Sequence, residues 1–526
     1  MISLLKEIAI DQTGLLPPLV TDYLHQKENL KPFYRFPFSF DAFGDVIKEK
    51  EKDNTNRQLL VEVLKGQYKD LSRSALVDQN IESLLSAKTF TVTAAHQPCL
   101  LMGPLYNIYK ISCAVNLAQQ LKKAFPENNF VPVFWMGSED HDTEELNHTY
   151  INGKKVEWKN AGSGAFGRVK TETLQSIIEE IKVLPISADV VGMMEAGLKK
   201  FETFGRLTHH FVHELFKEHG LVVLDQDDKR LKHSFAEVIK EEILDFTANR
   251  VLKPGLDLLE GQYKVQAKPR DINFFYLGEG YRERILFNSL TQKFEIKDRH
   301  LYFNEQEMEA EIETHPERFS PNVIYRPVYQ EYVLPNLAFI GGAGEVSYWL
   351  ELEALFDHYQ LNYPMLVLRT SMAIVNPGFQ KKLEKLNLKV EDLFGDVEQL
   401  IVRYVKDNLH GDIQLTDEKM KLEEIFNAVS LKAEAADATL KQSAASEKQR
   451  VLTALENLEG KMLKAEKRKQ ETAVNQIRTA YSTLFPDGEP QERRENFSPY
   501  YTPQFITEIV ALANPFDKSF KVLVAE

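Results

Sequence analysis

The chain has 526 residues, 43% of them hydrophobic and 27% charged, enough apolar material for a large buried core and roughly two to four domains, which excludes a mini-protein, a single small binding module and wholesale disorder. Acidic residues outnumber basic ones 78 to 64, a formal charge of -14 that repels phosphate backbones and anionic lipids, so neither nucleic acid nor a membrane is an expected partner. Only Cys99 and Cys113 occur, MISLLKEIAIDQ carries acidic residues where a signal peptide keeps an apolar core, and no apolar run reaches about 18 residues; a reducing, cytoplasmic location is expected.

Residues 89–95 (TFTVTAA) read as a buried strand, β-branched and uncharged, and 104–124 as the helix after it, with Pro104 suited to a first turn and Ile108, Ile111, Val115 and Leu121 at near-helical spacing. Residues 130–136 (FVPVFWM) read as a second strand. Strand, helix, strand within about 48 residues is a βαβ unit, and a parallel, doubly wound α/β core follows. Further strands are expected at 220–225 (GLVVLD), 336–342 (NLAFIGG) and 364–369 (PMLVLR), with one helix from Glu345 to about Tyr359. Insertions are expected at about 150–215 and 250–320, inside a core spanning 1–376.

A helical domain is expected over 377–486. Residues 417–482 hold no proline and one glycine, with 11 acidic and 12 basic residues, a long-helix composition. One apolar stripe runs Leu422, Ile425, Val429, Ala433, Ala436, Leu440, and a second runs Val451, Leu455, Leu458, Met462, Ala465. The polar run QSAASEK at 442–448 lies between them, so an antiparallel coiled-coil hairpin with its turn there is expected. Two apolar stripes on one hairpin call for a partner surface, and a second copy of the chain is the nearest one. The tail, 487–526, regains prolines and aromatics and ends in the strand-like FKVLVA, as if returning to the core.

In an open parallel sheet ligands bind beyond the carboxyl ends of the strands, and several segments there are unusual. His96-Gln97 and Gly103-Pro104 follow the first strand, Glu139-Asp140-His141-Asp142 the second, and Gly341-Gly342-Ala343-Gly344-Glu345 the NLAFI strand. The glycine loop would let backbone amides approach a phosphate, although it matches neither the Walker nor the dinucleotide pattern. Crowded carboxylates at a strand end call for a compensating cation, an ammonium or Mg²⁺; zinc is not favoured, because no closely spaced His or Cys pair is present. Lys110 either reaches a phosphate or is a surface lysine on an amphipathic helix. Arg326, Gln330 and Glu331, placed near a strand, serve either a ligand or packing, and Arg493 and Arg494 of the tail are solvated or functional.

Together HQPCLLMGPLYNIYKI (96–111), VPVFWMGSEDHDTEELNH (131–148), YRPVYQEYVLPNLAFIGGAGEVSYWLEL (325–352) and FPDGEPQER (485–493) resemble the bacillithiol-biosynthesis cysteine ligases. One departure is Ala95, where the family pattern has glycine before the His/Gln pair. The resemblance implies a Rossmann-like core akin to class I aminoacyl-tRNA synthetases with connecting-peptide insertions, a C-terminal coiled coil that dimerises, and an ATP-dependent joining of cysteine to glucosaminyl-malate. No synthetase-like KMSKS loop stands at LRTSMAIVNP.

On this reading Asp140, His141 and His96 are the catalytic candidates, and Gln97, Glu139, Asp142, Gln330 and Glu331 bind substrate. Gly103, Lys110, Gly341, Gly342, Gly344 and Arg493 bind ATP, with or without Mg²⁺, and no protein-held metal is expected. Joining a carboxylate to an amine is uphill, so ATP would first form an acyl-adenylate. Two rivals stand beside it: a metal-dependent hydrolase built on Asp140, His141 and Asp142, and a nucleotide-binding scaffold that does no chemistry.

Overall fold

The computed structural model describes residues 1–408 and 414–526 and divides into two units, Met1–Val375 with Glu489–Glu526, and Asn376–Gly488. The first is built on a five-stranded, wholly parallel sheet: β1 (Thr89–His96), β2 (Asn129–Met136), β3 (Val222–Asp225), β4 (Asn336–Gly341) and β5 (Met365–Leu368), in the order β5-β4-β1-β2-β3. This is a Rossmann-like arrangement. Both faces are covered, so β1 is buried from Thr89 to Ala95, which is why it reads as an unbroken apolar and β-branched run. The chain leaves β1 toward β2 and later returns on its other side with β4, so the strand order reverses between β1 and β4.

Between β1 and β2 runs helix α1 (Tyr106–Ala124), two residues later than Pro104 suggests. The delay comes from a turn in which Leu101, Met102 and Gly103 all have positive φ. Only at Gly103 is this free of a Cβ penalty, and a Cβ there would stand 3.0 Å from that of Cys99. The YRPVYQEYV segment is helix α2 (Tyr325–Val333), which leads directly into β4. The single helix expected from Glu345 is two, α3 (Ala343–Trp349) and α4 (Glu353–His358). At the break, the Glu351 carboxylate accepts the backbone N–H groups of Gln266 and Ala267 at 2.8 and 2.7 Å.

The 250–320 stretch holds an antiparallel five-stranded sheet made of Phe274–Gly278, Tyr281–Asn288, Lys293–Ile296, Leu301–Phe303 and Phe319–Pro321. Its residues look charged and mixed because such a sheet can keep one face wet. The tail strand Ser519–Ala525 joins a separate sheet, antiparallel to Ile2–Ala9 and parallel to Ser371–Val375.

In the second unit, α5 (Thr416–Ala436) and α6 (Leu440–Lys469) form the hairpin, tied by a 2.6 Å Lys419–Glu459 ion pair, and α7 (Glu471–Leu484) follows. The turn is at Asp437–Thr439, not at 442–448. Asp437 Oδ1 accepts the Thr439 N–H and hydroxyl at 2.8 and 2.7 Å, a local turn that stops the helix, whereas QSAASEK is composed of adequate helix formers and lies inside α6. No helix among the described residues is long and apolar enough to cross a membrane.

Candidate functional site

At the carboxyl ends of the parallel strands, where the strand order reverses, lies a cavity of about 680 Å³. β1 brings His96 and Gln97 to it, β2 brings Gly137 and Asp140, β4 leads into Gly342 and Gly344, and β5 into Arg369. Seven cationic side chains line it (Lys110, Lys268, Arg270, Arg282, Arg326, Arg369, Arg493) against three carboxylates (Asp140, Glu145, Glu345). In a chain of net charge -14 this is a local reversal of sign. Arg270, Arg326 and Arg493 have no carboxylate partner among the described residues. Arg326 instead donates to the Tyr348 hydroxyl at 2.6 Å and to Gln330 Oε1 at 3.2 Å, and Arg270 packs on the Phe275 ring.

Lys110 is buried, not a surface lysine. Its Nζ donates to the Ala95 carbonyl at 3.0 Å and pairs with Glu345 at 2.6 Å, while Glu345 accepts the Gly342 N–H at 2.9 Å. Burial pulls the Lys110 ammonium down, although Glu345 opposes this. His96 donates from Nδ1 to the Gln97 carbonyl at 3.0 Å, and its Nε2 accepts the Tyr106 hydroxyl at 2.7 Å. Burial, reinforced by Lys110, pushes its pKa down to about 4, so the ring is neutral and both nitrogens are occupied. Gln97 donates to Asp140 Oδ2 at 2.8 Å, across the β1–β2 pair.

The EDHD cluster does not act as one group. Asp140 faces the cavity; burial pushes its carboxyl up, but hydrogen bonding from His141, the Arg282 charge and the Gln97 amide outweigh this and hold it well below the usual carboxylate range. Glu139 turns inward to a fully buried pair with Lys232 at 2.6 Å and accepts from Gln226 at 2.7 Å. Asp142 caps the short helix after it by accepting the Glu145 N–H. His141 lies outside the lining, its Nδ1 accepting from Arg282 at 3.1 Å. The cation that crowded carboxylates demand is thus supplied by the chain itself, from Arg282 and Lys232. Among the described residues no group of three or more His, Cys, Asp or Glu side chains is placed to hold a metal ion.

Of the other expected residues, Gly342, Gly344 and Arg493 line the cavity, while Gly103 and Gly341 do not. Gly342 has φ -74°, so positive φ is not what requires glycine there; a Cβ would meet Glu345 Oε2 at 3.6 Å and Arg369 Nε at 3.7 Å. At Gly341 it would stand 3.0 Å from the Phe339 ring, a packing constraint. Gln330 and Glu331 are buried outside the lining. Gln330 links Arg326 to Glu331, which also accepts from Asn336 at 2.8 Å and lies 3.7 Å from Lys50.

Sequence reasoning missed Arg369, Arg282, Arg270 and Glu145. Arg369 carried a usable signal, as the first residue beyond a parallel strand; it makes a doubly bonded pair with Glu492, both contacts 2.8 Å. Arg270 and Arg282 carried none, because they come from the antiparallel insertion.

Residues 4–370 match the model for the bacillithiol biosynthesis BshC N-terminal Rossmann-like domain, and residues 372–525 that for the BshC C-terminal coiled-coil domain. A Flavobacterium psychrophilum protein named "Putative cysteine ligase BshC" is 36% identical over 526 residues, covering 98% of each chain. Proteins of the same name from Christiangramia forsetii and Bacillus cereus are 37% and 29% identical, each over 536 residues, covering 98% and 97% of this chain and 98% of theirs.

Proposed function

The chain belongs to the bacillithiol-biosynthesis BshC family, and from that premise we propose that it is a cysteine ligase that joins cysteine to glucosaminyl-malate by ATP-dependent amide formation in the strand-end cavity. The observation that carries this is the charge of the lining: three guanidinium groups without carboxylate partners among the described residues surround a cavity of ligand size in an acidic protein. Such a site suits a polyanion. Arg270, Arg326 and Arg493 hold phosphate or carboxylate oxygens, with Lys110 beside them, and Asp140, kept ionised, anchors the cysteine ammonium. ATP enters with Mg²⁺ bound through its phosphates rather than in a protein cage.

Transfer of the cysteine carboxylate to the α-phosphate gives an acyl-adenylate and pyrophosphate, and attack by the acceptor amine releases AMP. The chain acts as a homodimer through the α5–α6 hairpin, whose Ile425, Val429, Leu440 and Leu458 stand exposed. The test is to incubate the protein with cysteine, glucosaminyl-malate and ATP, follow the amide by mass spectrometry, and follow cysteine-dependent exchange of pyrophosphate into ATP. Product with exchange is expected; nucleotide binding with neither would return the scaffold reading.

A further inference from the structure

Amide formation needs a base, because an acceptor amine near neutral pH is an ammonium with no free electron pair. The obvious candidates are occupied. His96 has both ring nitrogens hydrogen-bonded, and His141 lies outside the cavity against Arg282. Of the three lining carboxylates, Glu345 is paired with Lys110 at 2.6 Å, and Asp140 is held by Gln97, His141 and Arg282. Glu145 is different: it lines the cavity, and among the described residues its carboxylate has neither a hydrogen-bond donor nor a cation.

Resting on the ligase reading above, we infer that Glu145 is the catalytic residue that takes the acceptor's ammonium proton in the amide-forming step. One proton passes from nitrogen to the Glu145 carboxylate, the freed pair forms the carbon–nitrogen bond, and the carbon–oxygen bond to AMP breaks with its electron pair on the phosphate. The second nitrogen proton leaves with AMP. The ionisable groups around Glu145 are Asp140 and Asp142 on its own segment, and Cys99 and Tyr106 at the β1–α1 turn. Burial at the cavity wall and the two aspartates push its carboxyl up, in the direction that makes a better base.

The experiment compares wild type with Glu145→Gln and Glu145→Asp, measuring amide formation and cysteine-dependent pyrophosphate exchange across pH. Expected for Glu145→Gln is a loss of roughly 10²-fold in amide formation with exchange within about 2-fold of wild type, the scale of a lost proton acceptor. Glu145→Asp recovers part of the loss, and raising the pH, which frees the acceptor amine in solution, speeds Glu145→Gln by a larger factor than wild type. Wild-type amide formation by Glu145→Gln overturns this inference alone, as does an equal fall in exchange, which would place Glu145 in activation. A wild-type protein that makes no amide overturns the ligase reading and this inference together.

Discussion

In the parallel-sheet unit every side chain from Thr89 to Ala95 of β1 is buried, whereas α5 and α6 of the helical unit have no buried side chain along 21 and 30 residues. The sheet unit is held by packing on two faces and by buried ion pairs such as Lys232–Glu139, both side chains fully enclosed. The two long helices are held by helix propensity and by exposed pairs such as Lys441–Glu434, which contribute little. The first region pairs its most deeply buried charges internally and leaves Arg270, Arg326 and Arg493 at the cavity without carboxylate partners among the described residues. The other still shows Met420, Ile425, Val429 and Leu431 to solvent. The proposed ligand site rests on the unpaired cavity cations of the first, and the proposed dimer on the exposed apolar residues of the second.

The sharpest break of this contrast is Lys232→Ala, which leaves Glu139 buried without its partner and removes the hydrogen bond to the Phe319 carbonyl. It should cost about 3–5 kcal/mol of unfolding free energy in urea, the range for a halved buried pair. An equal charge deletion on the hairpin, Lys441→Ala, should cost under about 0.5 kcal/mol. Similar losses for the two would dissolve the distinction.

Glu331 adds a pH dependence peculiar to the sheet unit. Burial pushes its pKa from 4.5 up to about 7, only partly opposed by Lys50. The folded state therefore holds a proton that the unfolded chain releases, so this group's stability contribution is full below about pH 4.5 and is lost as pH rises through about 7. Glu331→Gln keeps an acceptor for Gln330 and Asn336 and should become progressively more stable relative to wild type from pH 5 to 8. A difference that stays flat across that range would contradict the burial argument.

Arg493→Ala probes the unpaired cations at an exposed position of the cavity lining. Loss of a charge-assisted contact of about 1.5–3 kcal/mol should weaken nucleotide or substrate binding roughly 10- to 100-fold by titration calorimetry, with the thermal midpoint nearly unchanged. A fall in the midpoint with unaltered binding would make the residue structural.

The smallest effect on folding, and the clearest on assembly, should come from Ile425→Glu with Val429→Glu on α5. Unfolding of the sheet unit should move by no more than about 0.5 kcal/mol while light scattering reports the mass of one chain. A dimer that survives both charges would move the interface elsewhere.

Local pattern was enough to place β1, α1, β2 and the helical hairpin, because strand and helix periodicity are properties of neighbouring residues, and the distinctive blocks at 96–111 and 131–148 were enough to mark the strand ends. Even locally the pattern misplaced the hairpin turn, since a polar run is compatible with a helix while one aspartate at 437 can end it. What only the tertiary structure decided was which charges meet. Glu139, Asp140 and Asp142 are near neighbours in sequence, yet they pair with Lys232, with Arg282 and with the backbone of their own turn; Gln330 and Glu331 turned into the core, Arg282 arrived from an inserted sheet and Arg270 from the segment leading into it. Ion pairing depends on which distant segments the fold brings within a few ångströms, and spacing along the chain carries no record of that.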